Sequence, residues 1–145
     1  MGASMEIKSV FANDELLKLL ESCDLLVSDI SLSNALYFFG SYQDGRLVGV
    51  VGLERFGAVA LLRSLAVSAE LRGSGLGRKL VGFAESEAKS MGISDLFLLT
   101  DTAEQFFTKL SYQLLLRENA PAVIKNTAQF STLCPATSSF MSKQL

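Results

Sequence analysis

Arg72-Gly73-Ser74-Gly75-Leu76-Gly77 lies between an apolar run ending at Val67 and a helical pattern beginning near Leu76. A strand that feeds a glycine-rich loop and then a helix constrains the fold more than any other feature of the chain. Glycines let the backbone curl and approach a ligand closely, so that consecutive N–H groups converge on an anion at the positive end of a helix. Arg72, Arg78 and Lys79 concentrate positive charge there, in a chain whose formal net charge is −2. The segment reads as a cradle for a polyanionic small molecule.

Spacing narrows the choice among phosphate loops. A Walker A loop needs four residues between its glycines and then Gly-Lys-Ser/Thr, whereas Gly75-Leu76-Gly77-Arg78-Lys79-Leu80 breaks that pattern. A dinucleotide fingerprint needs a third glycine where this chain has Arg78 or Leu80, although Asp95 and Asp101 stand at a plausible distance for a ribose-binding acid.

The arrangement that fits is R/Q-x-x-G-x-G/A, with Arg72, Gly75 and Gly77 in register behind Leu62-Arg63-Ser64-Leu65-Ala66-Val67. Here the chain resembles the GNAT superfamily of acetyl-CoA-dependent N-acetyltransferases. Leu98-Leu99-Thr100 and the stretch from Ala103 through Phe106, Phe107 and Lys109 to Tyr112 are similar to the family's later strand and helix. The resemblance covers roughly residues 5–117. It implies a mixed, mainly antiparallel α/β sheet flanked by helices, with acetyl-CoA as co-substrate and no metal. It also implies that loop amides of Arg72, Gly73, Ser74, Gly75, Leu76, Gly77 and Arg78 hold the CoA pyrophosphate, while Leu65, Ala66 and Val67 offer backbone groups to the pantetheine arm. A narrower likeness, to the arsenic-resistance-associated branch, rests on Gly52-Leu53-Glu54, on Ala60 to Ser64, and on Gln129-Phe130 with Leu133-Cys134-Pro135-Ala136.

At 145 residues the chain suits one domain, large enough to bury roughly 70% of its unfolded surface. Residues 1–4 read as a cloning remnant ahead of Met5, leaving 5–145 as the domain. Apolar residues make up 49%, yet no run of about 18 of them signals a membrane span. The apolar excess suits a subunit interface, so a homodimer is one expectation; neither nucleic acid nor membrane is an expected partner. Two distant cysteines, Cys23 and Cys134, point to a reduced, cytoplasmic chain rather than a disulfide scaffold.

Hydrophobic periodicity places the elements. Glu6 to Phe11 reads as a strand, Asn13 as the cap of a helix over Asp14 to Ser22, and Asp44-Gly45 as a hairpin turn between strands Leu36 to Gln43 and Arg46 to Phe56. Gly57 turns the chain into a strand over Ala58 to Val67. After the loop, Leu76, Leu80, Phe83, Ala84, Ala88 and Met91 recur at helical spacing, with Gly92 as a stop. Asp95 to Thr100 reads as a buried strand, Thr102 and Gln105 as a capping box opening a helix to Leu110, and Gln113 to Arg117 as a strand. A Pro121-initiated helix to about Ala128 and a strand near Thr137 to Lys143 complete the reading.

The chain has no histidine, which excludes a histidine general base and a Ser-His-Asp triad. Direct acetyl transfer needs less: an amine must lose a proton as it attacks the thioester, and a carboxylate can take it. Glu54, a lone acid near the end of an apolar strand, is the candidate base; the alternative is a strand-end charge paired with Arg55 or Arg63. Arg63 shares a face with Leu65 and Val67 by the two-residue period, so it needs a partner if buried, either a substrate anion or Glu54. Tyr42 and Phe107 are candidates to line the acceptor cleft. In the family a tyrosine on the helix after the fifth strand often protonates the leaving thiolate; Phe107 stands there, and Ser111 replaces the usual glycine of the next turn. Solvent protonation of the thiolate is then the simplest course. The expected small-molecule amine is amino-acid-like. Two rival readings are a non-catalytic acyl-CoA-binding module and a nucleotide-binding regulator.

Overall fold

The structure is a computed structural model and describes residues 6–25, 27, 30, 36–127, 130 and 138–145. Its elements run β1 (Glu6–Val10), α1 (Asp14–Ser22), β2 (Leu36–Gln43), β3 (Arg46–Phe56), β4 (Val59–Val67), α2 (Leu76–Ser90), β5 (Asp95–Thr100), α3 (Glu104–Lys109), β6 (Gln113–Leu114), α4 (Ala122–Lys125) and β7 (Ser139–Gln144). The strands form one sheet in the order β1-β2-β3-β4-β5-β7-β6. Every pairing is antiparallel except β4 with β5.

Local chemistry accounts for the first half. Asn13 Oδ1 accepts from Leu16 N–H at 3.0 Å, a cap of the kind that contributes about 1 kcal/mol. Asp44 and Gly45 have φ of +53° and +78°, the signs a tight two-residue hairpin requires, and they fix the β2/β3 register. The apolar stripe of α2, with Leu76, Leu80, Val81, Ala84 and Ala88 buried, packs on one sheet face with Val48, Val51, Leu53, Ala60, Leu62 and Leu96. Burying a leucine as fully as Leu80 contributes about 1.5–3 kcal/mol.

The opposite face carries two separate clusters. Leu16, Leu19 and Leu20 of α1 pack on Phe38, Val50 and Ala66, whereas Ile124 of α4 packs with Leu61, Phe97 and Phe140. Some elements are shorter than expected. β6 ends at Leu114 and α4 at Lys125. α3 begins after Ala103, whose N–H is held by Thr100 Oγ1 at 3.0 Å, and Thr102 makes no capping box. Cys134, Pro135 and the expected strand start at Thr137 lie outside the described residues.

Candidate active site

β4 and β5 pair only through Val59, Ala60 and Leu61 with Asp95, Leu96 and Phe97. From Leu62 onward β4 has no strand partner on that side among the described residues, while β5 continues against β7, so the sheet parts there. The glycine loop sits at the end of β4. Gly73 and Gly75 take φ of +81° and +89°, a left-handed geometry in which any side chain is strained, and Gly75 is the N-cap of α2. Helix N-termini leave their first N–H groups without intrahelical acceptors, so this turn presents donors to an anion.

A cleft of about 610 Å³ opens at this point, within the range of small-molecule sites. Leu65, Val67, Leu71 and Phe106 form apolar walls; Arg72, Gly73, Gly75, Leu76, Gly77 and Arg78 form the loop side. Of the residues expected to hold the cofactor, all these loop positions and Leu65 and Val67 line the cleft. Ala66 instead packs with the α1 cluster on the other face, and Ser74 spends its N–H on Leu71 O at 3.1 Å. A Cβ on Gly77 would lie 3.5 Å from Phe106 Cζ, an ordinary van der Waals distance that sets this loop position directly against the cleft wall. The fit to CoA rests on these features: donors and two arginines for the pyrophosphate, an apolar channel for the arm. Arg72 lies folded back, with Nε donating to Val67 O at 3.3 Å and Nη2 3.5 Å from Cys23 Sγ.

Ser64 corrects the expected facing of β4. It takes φ of +57°, and the β3/β4 register slips between Val50 and Gly52, so β4 carries a bulge. Arg63 consequently lies on the face of Leu61 and Ala66, and Leu65 and Val67 turn to the α2 face. Strict alternation fails because the bulge adds one residue.

Glu54 and Arg63 meet on that second face. Arg63 Nη1 lies 3.5 Å from Glu54 Oε1, with side-chain exposures of 1% and 10% for Arg63 and Glu54, and Arg63 Nε donates to Ser64 Oγ at 3.2 Å. The internal partner allowed by the sequence is therefore present. Tyr42 sits apart, at the hairpin end of β2 opposite Leu47, with Lys8 Nζ 5.1 Å from its ring. Phe107 is buried edge-on between Phe106 and Tyr112, so the ring on the cleft is that of Phe106. Leu71 and Ala103, which also border the cleft, were missed from sequence, since nothing in their type marks a binding role.

Behind the cleft wall, Tyr112 donates to Glu85 Oε2 at 2.8 Å, and Lys143 Nζ reaches the same carboxylate at 3.0 Å. Burial, then the Glu85 charge and hydrogen bond, push the Tyr112 hydroxyl well above the ordinary tyrosine range.

A parted sheet with a glycine loop and a helix N-terminus at the parting sets backbone donors at the mouth of an apolar cleft. The chain belongs to the acetyltransferase (GNAT) family, whose sequence profile matches residues 7–112. An uncharacterized N-acetyltransferase of Chlorobaculum tepidum is 33% identical over 88 residues, 60% of this chain and 56% of that protein. Among solved structures, the N-acetylglutamate synthase of Neisseria gonorrhoeae complexed with coenzyme A and N-acetyl-glutamate superposes with a TM-score of 0.81 at 21% identity, covering 100% of this chain and 36% of that one. An acetyltransferase of Streptococcus agalactiae 2603 gives 0.76 at 20% identity over 97% and 98% of the two chains. This chain thus spans little more than half of the curated relative and about a third of the synthase. The seven-stranded, mostly antiparallel sheet with flanking helices is the family's fold.

Proposed function

We propose that this chain transfers acetyl from acetyl-CoA to the amine of a small, amino-acid-like molecule, by direct attack in a ternary complex. The carrying observation is the cleft at the parting of β4 and β5, with Gly73, Gly75 and the start of α2 at its mouth. The loop would take the pyrophosphate and β4 the pantetheine arm. Glu54 takes one proton from the acceptor ammonium and the freed nitrogen attacks the thioester carbonyl. As the N–C bond forms and the C–S bond breaks, the electron pair passes to sulfur and the second N–H proton leaves to solvent or thiolate. Arg63 holds an anionic group of the acceptor. An amino-acid-like acceptor is supported by the synthase complexed with N-acetyl-glutamate, and the likeness to the arsenic-resistance branch makes arsenic-bearing amino acids worth including.

One observation favours a second reading, a non-catalytic acyl-CoA-binding module: Glu54 is already engaged by Arg63. Thiol release from acetyl-CoA across an amine panel separates the two. Acceptor-dependent release is expected; CoA binding by calorimetry without release from any amine would establish the binding module.

A further inference from the structure

We infer that Arg72 makes the diphosphate half of the cofactor obligatory: in the free chain its guanidinium occupies the Val67 carbonyl that the cofactor's arm needs, and a bound diphosphate draws it off. The inference rests on the acetyl-CoA reading above and adds to it a selection among thioester donors, against those that lack a diphosphate.

The carbonyl is the first observation. Ser68 N–H donates to Val48 O at 2.8 Å, and in the next pair along the ladder Gly49 stands opposite Val67. Hydrogen-bonded and non-hydrogen-bonded pairs alternate between antiparallel strands, so Gly49 and Val67 form a non-hydrogen-bonded pair. The Val67 N–H and C=O therefore point away from β3. That is the side on which β4 has no strand partner from Leu62 onward among the described residues, and Val67 lines the cleft. The parting thus sets a backbone acceptor in a wall otherwise made apolar by Leu65, Leu71 and Phe106. An extended arm carrying amide N–H groups gains a hydrogen bond there, provided the acceptor is free.

It is not free, which is the second observation. Arg72 Nε donates to Val67 O at 3.3 Å and Nη2 reaches Cys23 Sγ at 3.5 Å, so the guanidinium is held at two points against the end of β4. Arg72 and Val67 both border the cleft, and the contact between them lies where the cofactor would run. The Arg72 side chain is exposed, so turning it away opens no part of the core. A guanidinium gains more from a phosphate, through charge and two parallel bonds, than from a neutral carbonyl and a thiol. Gly73 and Gly75 follow Arg72 in left-handed turns, which places an anion on the loop within reach of that side chain. Diphosphate binding accordingly vacates Val67 O, and the arm takes it. An arm without a diphosphate has to displace the guanidinium and offers it no anion in exchange.

CoA and pantetheine, the arm without its nucleotide, test the arrangement in protein-observed NMR titrations, which read weak as well as tight binding. Arg72→Ala should bind pantetheine about tenfold more tightly than the unaltered chain, because one hydrogen bond from a charged donor no longer competes, while its affinity for CoA falls at least about tenfold. These opposite changes are the signature. A residue that only binds phosphate would weaken CoA and leave pantetheine untouched, and one that only supports the loop would weaken both. Arg72→Met, which keeps the stem and removes the donors, serves if the alanine variant does not fold by circular dichroism. Pantetheine affinity that is unchanged, lowered or undetectable in the variant would overturn the inference while CoA binding to the unaltered chain keeps the cofactor reading in place. CoA affinity unchanged by the substitution would overturn it as well, since no diphosphate would then reach Arg72. CoA that binds neither protein would remove the cofactor reading beneath the inference.

Discussion

Tyr112 donates its hydroxyl to Glu85 at 2.8 Å, and so ties the residue just before β6 to the middle of α2 across 27 positions of sequence. Lys143 of β7 closes the group from the other side of the carboxylate. An unfolded tyrosine ionises near pH 10, while Tyr112 in the folded chain keeps its proton to higher pH because burial and the adjacent carboxylate oppose its ionisation. Below about pH 10 both states hold the proton and the contribution to stability is whole; above it the unfolded state binds fewer protons, so stability falls as pH rises. Tyr112→Phe should cost about 1 kcal/mol at neutral pH and flatten the decline above pH 10. Urea denaturation at pH 7, 9.5 and 11 checks both; an unchanged alkaline slope in the variant would assign that slope to other groups.

Cofactor affinity should depend on loop backbone more than on any one charge. Gly75→Val places a β-branched residue at φ of +89°, so it should strain the loop and abolish measurable CoA binding. Arg72→Ala removes a charge-assisted contact worth about 1.5–3 kcal/mol in the bound state, and frees Val67 O from its present donor. Isothermal calorimetry with CoA reads both, and unchanged affinity in the pair would mean that the cradle is elsewhere.

Ser111 takes φ of +76°, a conformation that costs a residue with a Cβ on the order of 1–2 kcal/mol. Ser111→Gly should therefore raise stability by about 1 kcal/mol, net of the larger backbone entropy glycine loses on folding. The position follows α3, whose Phe106 lines the cleft, so CoA affinity in the variant should change little. A lowered midpoint in urea would show that the Ser111 hydroxyl or Cβ contributes more than the strain it imposes.

The parts of this fold that were legible in the sequence are those set by local chemistry. Asn13 marks α1, Asp44-Gly45 marks the ends of β2 and β3, and the glycine loop marks the start of α2, each to the residue. Where the outcome depends on distant partners, legibility fails. The bulge at Ser64 leaves an apolar run that still reads as plain alternation, so Arg63 was assigned to the wrong face. α3 has six residues, too few for periodicity to say which of two adjacent phenylalanines faces inward, and the core took Phe107. β6 is two residues long: Gln113 and Leu114 pair in register with Ser142 and Met141, and Leu115 adds a single backbone bond to Phe140 O before the chain turns away. For the site, the glycine loop carried its own signal in residue type and spacing. The juxtaposition of Glu54 and Arg63 depended on register between two strands, which a sequence leaves open between pairing with each other and pairing with something else.

Because Ser64 reverses the facing of β4, neighbouring positions on that strand answer to different selective demands. Leu65 and Val67 border the cofactor cleft, and Arg63 and Ala66 point to the far side of the sheet. Substitutions on the far side can change that surface while the one that lines the cleft stays intact. An insertion or deletion of one residue near Ser64 has the reverse character, since it would exchange the two surfaces along the rest of the strand at once. Drift in this segment should accordingly proceed by replacement at constant length.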